Sequence, residues 1–193
     1  MSDEQVITVR TEATPNPNSL KYTLGRMLIP GGSANFPDAE SAADRSPLAS
    51  RLFQVEQVVG VFIGPDFFTI TRRSEEDDWN EINQHLAPQL EAFLESGEPV
   101  LRGKAPAAAP EIEDTDADPA TIEQIKTMLD EKVRPMVAMD GGDIIYRGFK
   151  EGVVYLELYG ACSGCPSSTL TLKDGVETML KQEVPSVQSV EAL

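Results

Sequence analysis

The chain of 193 residues carries 32 acidic against 16 basic side chains, a formal net charge of −16, with 40% of its residues hydrophobic. Such an acid excess excludes nonspecific binding to nucleic acid or anionic membranes, which needs surplus Lys and Arg to neutralise phosphate, and it leaves proteins as the expected partners. No apolar run approaches the roughly 18 residues of a membrane span, and the opening Met1-Ser2-Asp3-Glu4-Gln5 is acidic where a leader would be basic, so the sequence predicts a cytoplasmic protein.

In chain order, residues 1–102 predict a first small domain. Strands are expected over 6–11, 20–24, 58–63 and 67–72, where β-branched and aromatic residues gather, with Gly64-Pro65-Asp66 turning the last two. Helices are expected over 47–55 and 79–95. Neither a nucleophile with its base nor a phosphate-cradling glycine loop occurs in this half. The run Glu75-Glu76-Asp77-Asp78 reads first as a solvated helix start, where carboxylates suit the helix dipole, and second as a partner contact. His85 reads as a helix-surface residue rather than a ligand.

Residues 103–118 begin as Gly-Lys-Ala-Pro-Ala-Ala-Ala-Pro and continue as Glu-Ile-Glu-Asp-Thr-Asp-Ala-Asp, a composition that predicts an extended, solvated linker. Beyond it, residues 119–193 predict a second domain. Asp118 or Thr121 can cap a helix whose apolar face is Ile122, Ile125, Leu129, Val133 and Met136, with Pro135 kinking it or opening a short last turn. Strands over 144–149 and 153–159 flank Lys150-Glu151-Gly152 as a hairpin. A helix follows Pro166 with Leu172, Val176, Met179 and Leu180 on one face, Pro185 ends it, and 187–192 form a last strand. The expected fold class is α/β (α+β): two small domains, the second an α-β-β-α-β sandwich with a cysteine pair at a strand-to-helix junction.

That pair, Cys162 and Cys165 in Gly160-Ala161-Cys162-Ser163-Gly164-Cys165-Pro166, holds the only two cysteines of the chain. Two thiolates at this spacing can grip a soft metal, but zinc or an iron–sulfur cluster needs about four protein ligands. One chain therefore supplies half a site, and a second copy is the simplest donor of the rest, since homodimers are usually two-fold symmetric. A helix start favours the thiolate through its free amides and dipole. Small neighbours let the backbone wrap a bulky group, and between Glu157 and Asp174 no carboxylate opposes an anionic one. Two other readings stay open at this point. One is a thiol–disulfide oxidoreductase, although only 28 residues follow Cys165, few for a thioredoxin-like fold. The other is an interaction module bridged by zinc across a dimer.

The segment Met139-Asp140-Gly141-Gly142-Asp143, with 160–173 and Gly175-Val176-Glu177, resembles the NifU C-terminal domain of Nfu-type iron–sulfur carriers. Thr14-Pro15-Asn16-Pro17-Asn18-Ser19-Leu20-Lys21-Tyr22, with Ser46-Pro47-Leu48-Ala49 and residues 61–71, resembles the N-terminal domain of the same family. The resemblance implies a noncatalytic scaffold or carrier in which two subunits hold one [4Fe-4S] cluster, with [2Fe-2S] as the alternative. It implies Cys162 and Cys165 as the ligands, apo iron–sulfur proteins and upstream assembly proteins as partners, and a recognition role for the N-terminal domain.

Overall fold

The computed structural model describes residues 9–103, 112–115, 118–163 and 166–193, the side chains of 166–169 excepted. The chain divides into two compact units, Met1–Pro106 and Ala107–Leu193. No helix among the described residues is long and apolar enough to cross a membrane.

The first unit is an antiparallel five-stranded sheet of order β1-β2-β5-β4-β3. In chain order its elements are β1 (Arg10–Ala13), β2 (Ser19–Thr23), β3 (Ala34–Phe36), α1 (Ala39–Ala43), α2 (Pro47–Leu52), β4 (Val58–Ile63), β5 (Phe67–Arg72) and α3 (Trp79–Ser96). The core sets Phe36, Ile63 and Ile70 with Leu48 and Leu52 of α2 and with Ile82 and Phe93 of α3, all essentially sealed from water. On α3 the buried residues Ile82, Leu86, Leu90 and Phe93 keep helical spacing. Asp78 caps this helix, its carboxylate accepting from the Asn80 amide at 2.9 Å, and Asp77 accepts from the Ser74 amide at 3.1 Å. Half of the acidic run is thus spent on local structure. His85 is exposed on α3. The first strand begins later than the 6–11 expected, and residues 6–8 lie outside the described set. Both β3 and α1 are additions that the sequence reading missed, because Gly31-Gly32 and the short, Pro-flanked segments carry no sustained periodicity.

The second unit runs α4 (Pro119–Met128), a π-helical turn (Leu129–Val133), α5 (Arg134–Met139), β6 (Gly142–Lys150), β7 (Val153–Gly160), α6 (Pro166–Glu183) and β8 (Ser189–Ala192). This is the predicted helix, strand, strand, helix, strand. The sheet order is β6-β7-β8, with β6 antiparallel and β8 parallel to β7, so α6 is the crossover that a parallel pair requires. Asp118, rather than Thr121, caps α4, accepting from the Thr121 amide at 2.8 Å.

Pro135 opens a short last helix, α5, in the first turn of which it sits, the second of the two outcomes expected for it. A proline lacks the N–H for the α-helical bond, and the preceding turn widens so that the Arg134 amide reaches Leu129 O, five residues back. The extra residue rotates everything beyond it. Val137 takes the core position expected for Met136, which becomes 48% exposed beside Met139 at 75%.

Between Tyr146 and Gly148 the β6–β7 register slips at a bulge. The displaced Arg147 is only 2% exposed; its guanidinium donates to Glu157 from Nε at 2.6 Å and to the Tyr159 hydroxyl at 3.0 Å. A buried guanidinium is tolerated only with such partners. The hairpin turns through Glu151 and Gly152, both at positive φ (51° and 79°), as a two-residue turn between twisted strands requires.

Part of the 103–118 segment differs from a solvated linker. Residues 104–111 and 116–117 lie outside the described set, but 112–115 strap the outer edge of β6. The Ile112 amide donates to Arg147 O at 2.7 Å and the Thr115 amide to Phe149 O at 2.8 Å. In return, the Asp114 carboxylate accepts from the Phe149 amide at 2.9 Å and from the Tyr146 hydroxyl. The acidic composition hid this, because Asp114, though exposed, also serves the open edge as an acceptor. A Cβ on Gly148 would lie 2.4 Å from Ile112 O. Gly148→Ala is therefore expected to push the strap off and to cost about 1–2 kcal/mol, read as a fall in melting temperature; an unchanged melting curve would mean that the strap bears no load.

Candidate functional site

The predicted cysteine loop joins β7 to α6, and its first half is held by backbone geometry. Gly160 ends β7 at φ 66°, and its carbonyl accepts from both the amide (3.1 Å) and the hydroxyl (2.9 Å) of Ser163. Across the ladder Gly142 pairs with Gly160, and the Ala161 amide donates to Gly141 O at 3.1 Å. Gly141 itself sits at φ 81°, a conformation that favours glycine. The Asp140-Gly141-Gly142-Asp143 turn and the cysteine loop are therefore one construction, reached from two distant stretches of chain.

Cys162 packs inward. It is 7% exposed, belongs to the core with Ile144, Leu158 and Val176, and its Sγ lies 2.8 Å from where a Cβ of Gly142 would be. Burial first, then the nearby Asp140 and Asp143, push its thiol up to about 12. A thiolate favoured by the helix start was expected first for Cys165, which lies outside the described residues, and only second for Cys162. Cys162 instead precedes the first helical residue, Pro166, by four positions and is desolvated. The reading of a loop without opposing charge also changes, since Asp140 and Asp143 arrive from the β6 side. The register Gly142 with Gly160 would have exposed this, because it brings residues far apart in sequence to the same end of the hairpin.

Asp143 is held in place by an ion pair and a backbone amide. Its Oδ1 accepts from Arg134 Nε at 3.0 Å and from the Ile144 amide at 2.8 Å, and Arg134 also donates to Asp130 at 2.8 Å. The sequence reading missed Arg134, whose nine-residue separation from Asp143 matches no helical or strand pairing rule. Cys165, the second predicted ligand, lies outside the described residues, as does Gly164. Among the described residues no group of three or more His, Cys, Asp or Glu is placed to hold a metal ion. The donor chemistry of the loop is that of soft thiolates, suited to iron, zinc or an iron–sulfur cluster rather than to hard cations.

Fold and site together define a two-domain α+β protein whose second domain presents a cysteine pair at a strand-to-helix junction. Comparison with known proteins makes that class specific. Residues 9–97 match the family "Scaffold protein Nfu/NifU N terminal" and residues 125–191 match the "NifU-like domain" family. The "NFU1 iron-sulfur cluster scaffold homolog, mitochondrial" of Homo sapiens is 43% identical over 95% of this chain and 70% of its own length. The protein of that name from Drosophila erecta is 45% identical over 95% of this chain and 64% of its own. "NifU-like protein 4, mitochondrial" of Arabidopsis thaliana is 41% identical over 95% and 65%. The chain belongs to the Nfu/NifU family of scaffold proteins.

The chain thus spans 64% to 70% of the length of these relatives. The cytoplasmic expectation is overturned by the mitochondrial naming of all three. It rested on the character of the first residues, but a leader is a separate, removable segment, and the folded part keeps no record of one.

Proposed function

We propose that this protein is a carrier in which two copies hold one [4Fe-4S] cluster through Cys162 and Cys165 of each and pass it to apo iron–sulfur proteins. The observation that carries this reading is the ligand count: a chain of the scaffold family has two thiols, together in one loop, and a cluster takes about four. The cluster is cargo, and the chain performs no catalysis on it. Loading exchanges four thiol protons for four iron–sulfur bonds, and transfer exchanges the carrier thiolates for those of the acceptor, with no net redox change. Cys162 reaches a cluster by leaving its contact with Gly142, so loading reorganises the 160–165 loop.

The test is anaerobic reconstitution with ferric iron, sulfide and a dithiol reductant, which supplies the electrons for the mixed-valent cluster, followed by native mass spectrometry and then by addition of an apo-ferredoxin. A brown dimer with four irons and four sulfides that converts the acceptor is the expected result. A colourless zinc-loaded dimer, a monomer with a reversible disulfide, or a cluster that never leaves would each overturn it; a stable two-iron dimer would overturn the cluster type alone.

The second copy needs a face. Met136 and Met139 are exposed on α5, which leads directly into the Asp140-Gly141-Gly142 turn against the cysteine loop. Adjacent exposed apolar residues commonly mark an interaction surface. Met139→Glu is expected to leave the apo monomer folded and to weaken the cluster-bound dimer by about tenfold, through a charge placed in an apolar contact. Analytical ultracentrifugation of the reconstituted protein reads this directly, and an unchanged dimer constant would remove α5 from the interface.

A further inference from the structure

The first unit carries a feature that cluster binding does not use. In the first unit a cleft of about 770 Å³ opens where the β1–β2 ladder ends, lined by Arg10, Thr23, Arg26, Met27, Pro65 and Asp66 among others. Arg10 pairs with Thr23 at the last rung, and the chain then turns at Gly25 (φ 65°). One wall is fixed by the Leu28 and Ile29 amides, which donate to Pro65 O at 2.6 and 3.2 Å. Met27, 69% exposed, adds an apolar surface.

The charges here are unusual for so acidic a chain. Most basic side chains of this unit have partners: Lys21 with Glu12, Arg51 and Arg102 with Glu98, Arg73 with Glu56 and Asp77, and Arg72 with Asn18 and Pro17 O. Among the described residues of this unit Arg10, Arg26, Arg45 and Arg72 form no ion pair; Arg72 is held instead by neutral oxygens, and Arg10 and Arg26 line the same cleft. Arginines held apart from the surrounding carboxylates leave their bidentate donors for an anionic ligand.

The strand beside the cleft is also open. β1 is an edge strand, paired only with β2 among the described elements, and all four of its residues are exposed. The opposite edge, β3, is three residues long, with Ala34 and Phe36 buried. An uncovered edge offers its amides and carbonyls to an added strand.

We infer that the β1 edge and the Arg10–Arg26 cleft form one docking site for an extended acidic peptide segment of a partner protein, its backbone pairing with β1 and its carboxylates meeting the two arginines. Pairing along an edge strand and contact with Met27 both call for a peptide, since a nucleic acid has no amide backbone with which to extend a sheet. Asp66, exposed on the cleft wall, restricts the ligand by repelling carboxylates on its side. This site is independent of cluster loading and is tested on the apo chain.

The probe is an end-capped hexapeptide alternating valine and glutamate, titrated into the full-length apo protein at low ionic strength by calorimetry and amide NMR. Saturable binding with shifts confined to β1 and the 23–27 turn is expected. Arg10→Ser combined with Arg26→Ser should weaken it about tenfold or more, and Asp66→Asn should tighten it about threefold, in line with charge pairs at partly exposed interfaces. Arg45→Ser, the third unpaired arginine but outside the cleft, should leave it unchanged. Absence of saturable binding, equal loss in Arg45→Ser, or displacement of the peptide by inorganic phosphate at equal concentration would overturn the proposal, the last outcome marking a small-anion site instead.

Discussion

On the proposed two-copy carrier, Cys162→Ser and Cys165→Ser are each expected to abolish the cluster-bound dimer, reducing iron and sulfide per dimer to background and removing the brown absorbance. The size of the effect follows from symmetry. In a homodimer one substitution appears twice, so a four-thiolate site falls to two thiolates, with serine hydroxyls that are hard, weakly acidic donors in their place. A mixed dimer of one wild-type and one variant chain keeps three thiolates and should hold a labile cluster. Serine at the buried 162 position also sets a smaller, more polar group in the core, costing about 1–2 kcal/mol, so the apo variant should melt slightly lower yet still fold. Anaerobic iron and sulfide analysis with visible spectroscopy measures the result. A full four-iron complement in either variant would mean that other atoms hold the cluster.

Gly142→Val is expected to damage both the fold and the site, for a reason of space rather than backbone conformation. Gly142 is not at positive φ, so a side chain there is permitted by the backbone. The first carbon of that side chain would lie 2.5 Å from Tyr159 O and 2.8 Å from Cys162 Sγ. The carbonyl cannot retreat without opening the β6–β7 ladder, and the thiol can retreat only by leaving the core. Overpacking of this kind costs about 1–3 kcal/mol, and for a unit of this size each kcal/mol lowers the melting temperature by about 4–8 °C. The same variant should expose Cys162, so that iodoacetamide modifies the native apo protein much faster than wild type. Unchanged melting together with unchanged alkylation would refute the packing described here, whereas faster alkylation alone would show that the thiol yields and the ladder holds.

The second unit was largely legible because its signals are local and strong. Alternation along Val154, Leu156 and Leu158, a two-residue turn with glycine, and a proline opening α6 each specify one element. The helix before the hairpin was legible only as far as Val133. Beyond it the sequence shows a proline but not the widened turn that accommodates it, and that turn moves Met136 from core to surface. In the site, the cysteine motif was visible as a pattern, while the state of Cys162 was not, because it depends on Gly142, Asp140 and Asp143 across the hairpin. In the first unit β3 and α1 escaped notice because three- and five-residue elements are fixed by their neighbours and not by their own periodicity.

The strap over β6 bears on how much of this protein a cell can keep in solution. A three-stranded sheet has two edges, and an unpaired antiparallel edge recruits any strand it meets. Here the longer edge is bulged at Arg147 and occupied by Ile112–Thr115, whose Asp114 and Glu113 add negative charge along it. A fragment that begins at Pro119 keeps every helix and strand of the second unit and loses that cover. Such a fragment should aggregate at concentrations where one beginning before Ile112 stays dispersed, which makes these four residues a solubility device as well as a join.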